Sequence, residues 1–550
     1  MVGGHEERAE TRAVDFTNRL SSWSGLRDWW EILMLKNTSV ALLALVVFGG
    51  CLHFEETFLV DGDGGVADAT IAIADAGAPD ADSSSLRITV DSNDLRLGIN
   101  DSLAVDISVE RLGDVAGAID VSVTNLPSGV SVESLEIAAG DTTGVLQFAA
   151  TGKATLGAAE LTIAASIDEA SGMVALPLFV AGATATFDIT FNGGSTTLPL
   201  ATTVQDLLLT DDGRLLVLAN ESGWNVIAYD EFGALDTSYG TSGRVALPSG
   251  VDPVAMAARP TGGIAIAVNR TSPVQAGVVA LTEMGGLDVN FSSGTSFIST
   301  IKAGGGTTRV TDIVVAPSGT IYMSGNLIGG NDGAIYEFSP VGVFDDFQTN
   351  AGSDNFKNIR LQNDKLVVGG QKKGGGAPDY MLARFTLDLA LDATFAVGGI
   401  FESGASDFAY SHFDVDTTGR IAAMRSNSNP SVTVDMLDAD ATGISQSFGS
   451  FATGSGGFSG EGAFGPDGDF VIIVNGCSNS CQIHDSEIAL MLATEPADGT
   501  YERNLEMAFD IDDADQDTRW KLERVAVDSN SRIVVAGTNG GVVTLLRLWP

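Results

Sequence analysis

Aspartate-rich segments are the residues of this chain that could bind a metal ion. Asp513, Asp515 and Asp517 alternate with other residues, as the first ligands of a calcium loop do. Such a loop needs Gly at its sixth position and a bidentate Glu at its twelfth, which here falls on Arg524. The similar segment 438–443 lies where other repeats have an ordinary hairpin turn. We therefore expect solvated turns, with calcium at the first segment as the alternative.

Residue types for nucleophilic chemistry or a transition-metal site are scarce. The chain has 4 His and 3 Cys, and His412 and His484 are the only histidines after residue 183. There is no Gly-x-Ser-x-Gly elbow, and the glycine-rich run 369–376 lacks the Lys-Ser/Thr ending of a phosphate-binding loop. We therefore expect no His-based triad and no His-based metal cluster. An enzyme built from this sequence would have to use carboxylates.

Charge and composition narrow the class of protein. The 550 residues include 71 acidic and 29 basic ones, which give a net charge of −42. Nucleic acid is therefore not an expected partner, because phosphate binding needs a cationic surface. Hydrophobic residues make up 44% of the chain, too many for a disordered one, and 66 Gly suit many tight turns between short strands.

One apolar segment stands out near the N-terminus. Residues 40–50 form an apolar run preceded by Lys36 and followed at once by Cys51. As a helix this run is about 16 Å long, half of a bilayer core, so it fits a signal peptide better than a membrane span. The pattern resembles a bacterial lipoprotein signal, which implies that Cys51 is lipidated. A plain secretory signal and a buried strand are the alternatives.

Domain expectations follow from this resemblance. Residues 1–50 would be an over-extended gene start plus the signal peptide, and 51–85 an acidic tether rich in Ala, Gly and Asp. If Cys51 carries lipid in an oxidising compartment, Cys477 and Cys481 remain as a pair. We then expect a disulfide that closes a small loop. A metal at these two cysteines would need more ligands than His484 provides.

Residues 86–182 read as a small all-β domain. Apolar residues alternate with polar ones from Leu103 to Val109 and from Ile119 to Val123. Five further apolar runs fall at 86–90, 132–137, 145–149, 161–167 and 173–180. Seven short strands in under 100 residues predict a two-sheet sandwich. The segments 125–130 and 137–141 resemble bacterial cell-surface immunoglobulin-like modules, which implies an immunoglobulin-like fold.

From residue 183 onward two motifs repeat seven times each. The first motif is an apolar residue, a polar residue that is usually Asp, two variable residues, and then Phe or Tyr; the copy at 344–347 is one residue shorter. Its copies are 187–191, 235–239, 287–291, 344–347, 391–395, 444–448 and 505–509. The second is a turn followed by an apolar strand, with copies starting near 212, 262, 318, 364, 418, 467 and 531. Units of about 50 residues with this content predict a β-propeller or another β array.

The order of the motifs predicts how the array closes. The first motif has no partner before it at 187, and the second has none after it at 531. We therefore predict that 183–550 forms a seven-bladed β-propeller, closed by strand exchange between about 183–200 and 519–550. The units resemble delta-60 repeats of large secreted bacterial proteins, for example at 229–243. The resemblance implies a propeller-like array without implying a reaction.

The predicted fold class is thus all-β, an immunoglobulin-like sandwich followed by a propeller. The expected function is a non-catalytic binding or structural protein of the bacterial cell envelope, anchored by lipid at the outer membrane or cell surface. A protein or a glycan is the expected ligand. The alternative is a propeller lyase or hydrolase that uses carboxylates in the central channel, with its site in the loops 269–276, 371–379 and 475–487.

Overall fold

The computed structural model describes most of residues 85–549. It leaves out 1–84, 91–94, 169, 184–185, 272–273, 292–298, 301–306, 329–331, 351–354, 373–378, 404–407, 428–430, 453–458, 479–482, 495–499, 510–519 and 550. Ser84–Pro550 forms one compact unit. Across the described ranges there is no α-helix, only a single 3-10 turn at Asn192–Gly194, and so no helix that could cross a membrane.

The N-terminal part of this unit is a sandwich of two sheets. Its strands are β1 (Ser85–Val90), β2 (Leu95–Gly98), β3 (Ser102–Leu112), β4 (Ile119–Thr124), β5 (Val130–Val132), β6 (Leu135–Ile137), β7 (Thr143–Ala150), β8 (Gly157–Ile167) and β9 (Ala170–Ala181). One sheet has the order β1-β3-β7-β5 and the other β2-β9-β8-β4-β6. Alternate residues of both sheets, such as Ile107, Phe148 and Ile163, form one shared core. This burial of one face per strand explains the two-residue period of the sequence.

The sandwich has nine described strands where the apolar runs predict seven. The predicted run 132–137 divides into β5 and β6, which pair with strands of opposite sheets, β7 and β4. β2 contains only two buried apolar residues, Leu95 and Leu97, and pairs in parallel with β9. Short strands that change sheets leave no periodic signal, because each contributes only one or two core residues.

Seven four-stranded sheets follow in the described residues. Sheet 1 contains β11 (Thr203–Leu209), β12 (Leu215–Asn220), β13 (Trp224–Tyr229) and β14 (Arg244–Ala246); sheet 2 contains β15 (Val251–Ala258), β16 (Ile264–Thr271), β17 (Val274–Leu281) and β18 (Ser299–Thr300). Sheet 3 contains β19 (Thr307–Val315), β20 (Ile321–Ile328), β21 (Asp332–Phe338) and β22 (Phe344–Asn350); sheet 4 contains β23 (Asn355–Gln362), β24 (Lys365–Lys372), β25 (Asp379–Thr386) and β26 (Ile400–Glu402); sheet 5 contains β27 (Phe408–Val415), β28 (Ile421–Asn427), β29 (Ser431–Leu437) and β30 (Ile444–Ala452). Sheet 6 contains β31 (Ser459–Phe464), β32 (Phe470–Ser478), β33 (Ile483–Thr494) and β34 (Thr500–Phe509), and sheet 7 contains β35 (Trp520–Val527), β36 (Ile533–Asn539), β37 (Val542–Leu548) and, from the start of the repeat region, β10 (Ser195–Leu198). Within each sheet neighbouring strands are antiparallel.

Consecutive sheets pack face to face through apolar clusters. In β12, Leu216 and Leu218 contact sheet 2, whereas Leu215, Val217 and Ala219 contact sheet 7. The second strand of each sheet is therefore covered on both faces, which explains why these strands are nearly continuous apolar runs. The cluster between sheets 7 and 1 completes a cycle, since every sheet packs on the next and the last packs on the first. The described part of the chain is thus all-β and β-propeller-like.

The two ends of the repeat region pair with each other. β10 lies antiparallel to β37, with Ser195 opposite Leu546 and Leu198 opposite Val543. The main-chain N–H of Asp188 also donates to the carbonyl of Arg547 over 2.8 Å. The pairing expected from the unpaired motifs at 187 and 531 is therefore present. β10 thereby covers the edge of β37 and gives sheet 7 its fourth strand.

The repeated motifs have the local roles that their residue types predict. Gly213, Gly319, Gly419 and Gly468 have φ between 80° and 90°, in turns that join first and second strands. Asp188, Asp236, Asp288 and Asp392 each accept a hydrogen bond from the main-chain N–H two residues on, over 3.0–3.1 Å. The aromatic residues Phe191, Tyr239, Phe291 and Phe395 are at most 2% exposed. These predictions are confirmed for the four copies at 187–191, 235–239, 287–291 and 391–395. The copies at 344–347, 444–448 and 505–509 instead lie within strands β22, β30 and β34, because they lack one residue or have Ser445 or Glu506 in place of the short Asp that binds the turn.

An arginine completes each of these four motifs, which the sequence reading missed. The guanidinium groups of Arg547, Arg214, Arg259 and Arg384 bind Asp188, Asp236, Asp288 and Asp392 respectively, over 2.7–2.9 Å. The same guanidinium carbons lie 4.7–5.6 Å from the centroids of the motif aromatic rings. The Asp carboxylate therefore accepts a hydrogen bond within the turn and also pairs with an arginine that stacks on the aromatic ring.

Candidate functional site

The first strands of the seven sheets contact one another in a closed cycle, β11–β15–β19–β23–β27–β31–β35–β11. Six of these described strands contain a β-bulge, at which the strand has one extra residue relative to its partner strand. The extra residues are Gln205, Val254, Thr311, Lys357, Ser411 and Glu523. A bulge bends the strand and redirects the side chains beside it. The residues directly after the bulges include Asp206, Asp312, His412 and Arg524, which are the polar groups of the candidate site.

Arg360 is one centre of this polar group. Its Nη1 lies 2.7 Å from Asp312 Oδ2, and its Nε lies 3.0 Å from Asp414 Oδ1. Its Nη2 is 3.5 Å from Nε2 of His412, which is 6% exposed. One guanidinium on β23 therefore joins carboxylates from β19 and β27, the first strands of the two flanking sheets.

Three aspartates also join neighbouring sheets through the main chain. Asp206 accepts from the N–H of Met256 over 2.6 Å, Asp312 from that of Ile359 over 3.1 Å, and Asp414 from that of Phe464 over 2.9 Å. In each case the donor lies on the first strand of the next sheet. These carboxylates thus satisfy main-chain donors where two sheets meet.

Arg524 is the second centre. Its Nη1 lies 3.3 Å from Glu461 Oε2, its Nε lies 4.0 Å from Asp206 Oδ1, and Nε donates to the Gln205 carbonyl over 2.7 Å. Burial raises the pKa of Glu461 to about 7, although the Arg524 charge opposes this rise. Burial likewise raises the pKa of Asp206 to about 6, again against Arg524. Both carboxyl groups therefore bind a proton more readily than a solvated carboxylate does.

His412 and Asp414 shift for the same reason. Burial raises the pKa of Asp414, with Arg360 acting in the opposite direction. Burial, together with the positive charges of Arg360 and Arg524, holds the pKa of His412 well below 6.5. His412 is therefore neutral at pH 7, and its imidazole is a hydrogen-bonding group rather than a charge.

A cavity of about 460 Å³ opens beside Arg524, between sheets 6, 7 and 1. It is lined by residues 203–205 of β11, Trp224 of β13, residues 460–461 of β31, Ile473 and Asn475 of β32, and residues 521–524 of β35. Its wall includes Thr203, Gln205, Trp224, Glu461, Lys521 and Glu523. Lys521 Nζ lies 2.9 Å from Glu523 Oε1. Among the described side chains the wall therefore presents the indole of Trp224, two ion pairs, and uncharged polar groups.

The sandwich contacts the opposite ends of the same strands. Arg96 of β2 donates to the Ser529 carbonyl over 2.6 Å and lies 3.7 Å from Asp467, both in the turns that follow β35 and β31. Trp549, 1% exposed, lies 5.8 Å from the Phe179 ring of β9. A Cβ on Gly182 would be 2.1 Å from Trp549 Nε1, so the two elements are in close contact here. The cavity and the sandwich thus lie at opposite ends of β31 and β35.

The structure describes only some of the site residues that were predicted from the sequence. Cys51, Cys481, Asp513, Asp515 and Asp517 lie outside the described residues. The backbone of Cys477 lies in β32, opposite His484 of β33. Lipidation, the disulfide and calcium binding therefore stay predictions. Among the described residues no group of three metal-ligating side chains is present.

Of the three loops expected to hold an enzymatic site, only 475–487 contributes a described residue to the cavity, Asn475. Asn475 is already bonded through both side-chain atoms to the main chain of Leu522. The polar groups that do converge lie inside the first strands instead. A charged residue that interrupts an apolar strand just before the turn motif, as Asp206 and Arg360 do, was the signal available in the sequence.

Comparison with known proteins gives no family. No family model and no curated protein matches the sequence. Similar solved structures include a DUF4623 family protein from Bacteroides eggerthii, at 9% identity and a TM-score of 0.29, covering 84% of this chain and 94% of that one. A quinonprotein alcohol dehydrogenase-like protein from Bacteroides thetaiotaomicron matches at 10% identity and 0.33, over 83% and 96%. The NanB sialidase from Streptococcus pneumoniae matches at 10% and 0.28, over 78% and 68%. At these TM-scores the likenesses carry no argument about the site.

Proposed function

We propose that this chain is a lipid-anchored protein of the bacterial cell envelope, at the outer membrane or cell surface, that binds a ligand or partner without catalysing a reaction. In this proposal Cys51 carries the lipid and residues 51–85 are the tether. Residues 86–182 are an immunoglobulin-like spacer, and residues 183–550 are a seven-bladed β-propeller. The partner is a protein or a glycan, and nucleic acid is not one.

The propeller assignment is supported by the cyclic packing of the seven described sheets. Each sheet contributes apolar residues to clusters on both sides, and the cluster of sheets 7 and 1 has the same construction as the other six. Pairing of β10 with β37 gives the last sheet its outer strand from the start of the array. A closed ring needs no capping unit, in contrast to an open solenoid.

The observation that carries the proposal is the position of the cavity relative to the sandwich. Arg96 of the sandwich binds the turns after β31 and β35, whereas Glu461 and Lys521 line the cavity at the beginning of those strands. A spacer on one end of the strands leaves the cavity at the other end open to a ligand. This is the arrangement that a display function requires.

The pairing of the polar groups on the first strands favours binding over catalysis. Asp206, Asp312 and Asp414 each accept from a main-chain N–H, and Arg360 and Arg524 each contact two acidic side chains. Groups held in this way stabilise the contacts between sheets. A general acid or base must instead be able to reach a substrate proton.

An enzymatic alternative has one observation in its favour, which is Glu461. Burial raises the pKa of this carboxyl to about 7, and the side chain lies on the wall of the cavity. A carboxylic acid that keeps its proton near neutral pH is suited to general acid catalysis, as a lyase or hydrolase would need. Under this alternative, Glu461→Gln abolishes turnover of a bound ligand while leaving its binding intact.

Metabolic labelling tests the proposed anchor. Cells that express the full chain are fed a labelled palmitate analogue, and Cys51→Ser is compared with the wild type. Lipidation predicts label on the wild type only, together with loss of membrane association in the variant. Cys477→Ser serves as the matched cysteine control, and label that persists in Cys51→Ser contradicts the assignment. In the purified wild type, a mass 2 Da below that of the reduced form, by mass spectrometry, tests the Cys477–Cys481 disulfide.

A further inference from the structure

We infer that the cavity beside Arg524 binds a neutral saccharide. The inference rests on the proposed binding function and names the class of its ligand. The cavity volume of about 460 Å³ lies within the range of roughly 300–1,000 Å³ that is typical of small-ligand sites. It is formed by residues of three sheets, so that several side chains can contact one ligand.

The charges of the cavity wall argue for a neutral ligand. The two acidic residues of the wall, Glu461 and Glu523, are each paired with a cation. Arg524 lies 3.3 Å from Glu461, and Lys521 lies 2.9 Å from Glu523. A ligand with a full charge would have to displace one of these partners, leaving a carboxylate or a cation unpaired. Breaking the Arg524–Glu461 pair, whose side chains are 27% and 22% exposed, costs more than a new surface contact returns. The Lys521–Glu523 pair is held more weakly, because Lys521 is 50% exposed.

Trp224 is the aromatic residue among the described side chains that line the cavity. It is the first residue of β13 in sheet 1, is half-buried, and lines the cavity. An indole combines a flat apolar face with one N–H donor. A sugar ring matches this combination, because its C–H face is apolar and its hydroxyl edge is polar. A nucleotide would also stack on an indole, but its phosphates oppose the net charge of −42.

The remaining wall groups suit hydroxyls. Thr203 carries a hydroxyl that both donates and accepts, and Gln205 carries an amide with an oxygen acceptor. The amide Nε2 of Gln205 already donates to the Val254 carbonyl over 3.2 Å, which orients its Oε1. A pre-oriented acceptor and a hydroxyl beside an indole provide directional bonds without a charge. This set favours a polyol over a hydrophobic ligand.

The test is calorimetric titration of the full chain with soluble trisaccharides. The neutral probes are maltotriose, cellotriose, mannotriose and N-acetylated chitotriose; trigalacturonate and deacetylated chitotriose are the charged probes. We expect at least one neutral probe to bind, and Trp224→Ala to weaken that binding by about 10-fold or more. Trp224→Phe keeps a stacking surface and should recover most of the affinity. Phe232→Ala, a change of an aromatic residue exposed to 57% in the turn after β13, is the matched control and should bind like the wild type.

The outcomes separate this inference from the proposed function. No heat from any neutral probe up to about 10 mM overturns it, as does preferential binding of a charged probe. Binding that Trp224→Ala leaves unchanged overturns the site. If a neutral probe binds and is also cleaved, seen by chromatography of the mixture, the saccharide class stands and the non-catalytic function falls. If a protein partner is captured while every saccharide fails, the binding function stands and this inference falls.

Discussion

Arg547 Nε donates to Asp188 Oδ2 over 2.8 Å, although the two residues are 359 positions apart in the chain. Asp188 is fully buried, and the Arg547 side chain is 3% exposed. The other motif pairs, such as Arg214 with Asp236, lie within one unit of the array. The Asp188–Arg547 pair therefore repeats a local contact of the repeats across the junction of the two ends.

We predict that Arg547→Met destabilises the protein by about 3–5 kcal/mol, because it leaves the buried carboxylate of Asp188 without this partner. Arg214→Met is the matched control, since its pair with Asp236 has side chains 18% and 17% exposed. We expect a smaller loss there, about 1 kcal/mol. Guanidinium unfolding followed by circular dichroism measures both. Equal losses of stability in the two variants would contradict the prediction that the greater burial of the Asp188–Arg547 pair makes its removal more costly.

A second prediction concerns Trp549. This buried residue lies against Phe179 and Gly182, which belong to the end of the sandwich. Trp549→Ala is expected to cost about 3–5 kcal/mol, because it leaves a large cavity between the sandwich and sheet 7. Calorimetry should show one unfolding transition in the wild type and two in the variant. Met173→Ala, at a side chain exposed to 75%, is the control and should retain one transition. A single transition in Trp549→Ala would contradict the prediction that Trp549 makes the sandwich and sheet 7 unfold together.

A third prediction concerns Arg360, which contacts Asp312 over 2.7 Å and Asp414 over 3.0 Å. Arg360→Met should cost about 3–5 kcal/mol, because two carboxylates lose a shared cation. Adding Asp312→Asn and Asp414→Asn to this variant should recover much of the loss, since the unpaired charges are removed. Denaturant unfolding of the set measures this coupling.

The exposed pair of Arg87 and Glu110 provides the control for Arg360. Their side chains are 74% and 59% exposed and 3.9 Å apart. Arg87→Met should change stability by less than about 0.5 kcal/mol. If the triple substitution at Arg360, Asp312 and Asp414 is no more stable than Arg360→Met alone, unpaired charge is not the cause of the loss.

A fourth prediction follows from the raised pKa of Glu461. Its ordinary value is 4.5, and burial raises the pKa to about 7 in the folded protein. Below pH 4.5 both folded and unfolded chains carry the proton, so this residue adds no pH dependence there. Between pH 4.5 and 7 the unfolded chain loses the proton first, and stability therefore falls as the pH rises. Relative to Glu461→Gln, the wild type should lose about 1–3 kcal/mol over this window.

Denaturant unfolding at about pH 4, 6 and 8 measures this difference. His412 acts in the opposite direction, because burial and Arg360 hold its pKa well below 6.5 and stability falls on acidification. Both proteins contain His412, so its effect cancels in the comparison. Glu160→Gln, at an exposed residue of β8, is the control and should follow the wild type. A constant difference between wild type and Glu461→Gln would show that this carboxyl titrates normally.

Several features of the fold could be predicted from the sequence because they are local and repeated. Gly419 has the positive φ that its turn predicts, Asp288 binds the N–H two residues on, and Phe291 is buried. Each follows from residue type within five positions. The pairing of β10 with β37 was also predictable, since an unmatched motif at each end of the array leaves one complete unit to be shared.

The cluster at the candidate site was not predictable, because it depends on which strands meet. The contacts of Arg360 with Asp312 and Asp414 join residues 48 and 54 positions apart, and Arg524 contacts Asp206 across the closed junction. The bulges that redirect these side chains have no fixed sequence signal. The split of the run 132–137 between two sheets is equally invisible along the chain.

The sequence by itself thus determined the repeating unit, its turns and its closure, since these depend on neighbouring residues and on a count of motifs. Only the tertiary structure decided that Glu461, Asp206 and Arg524 share one buried environment beside Trp224. The physical reason is that desolvation and pairing are properties of a location, and the first strands of different sheets share a location only after the ring has closed.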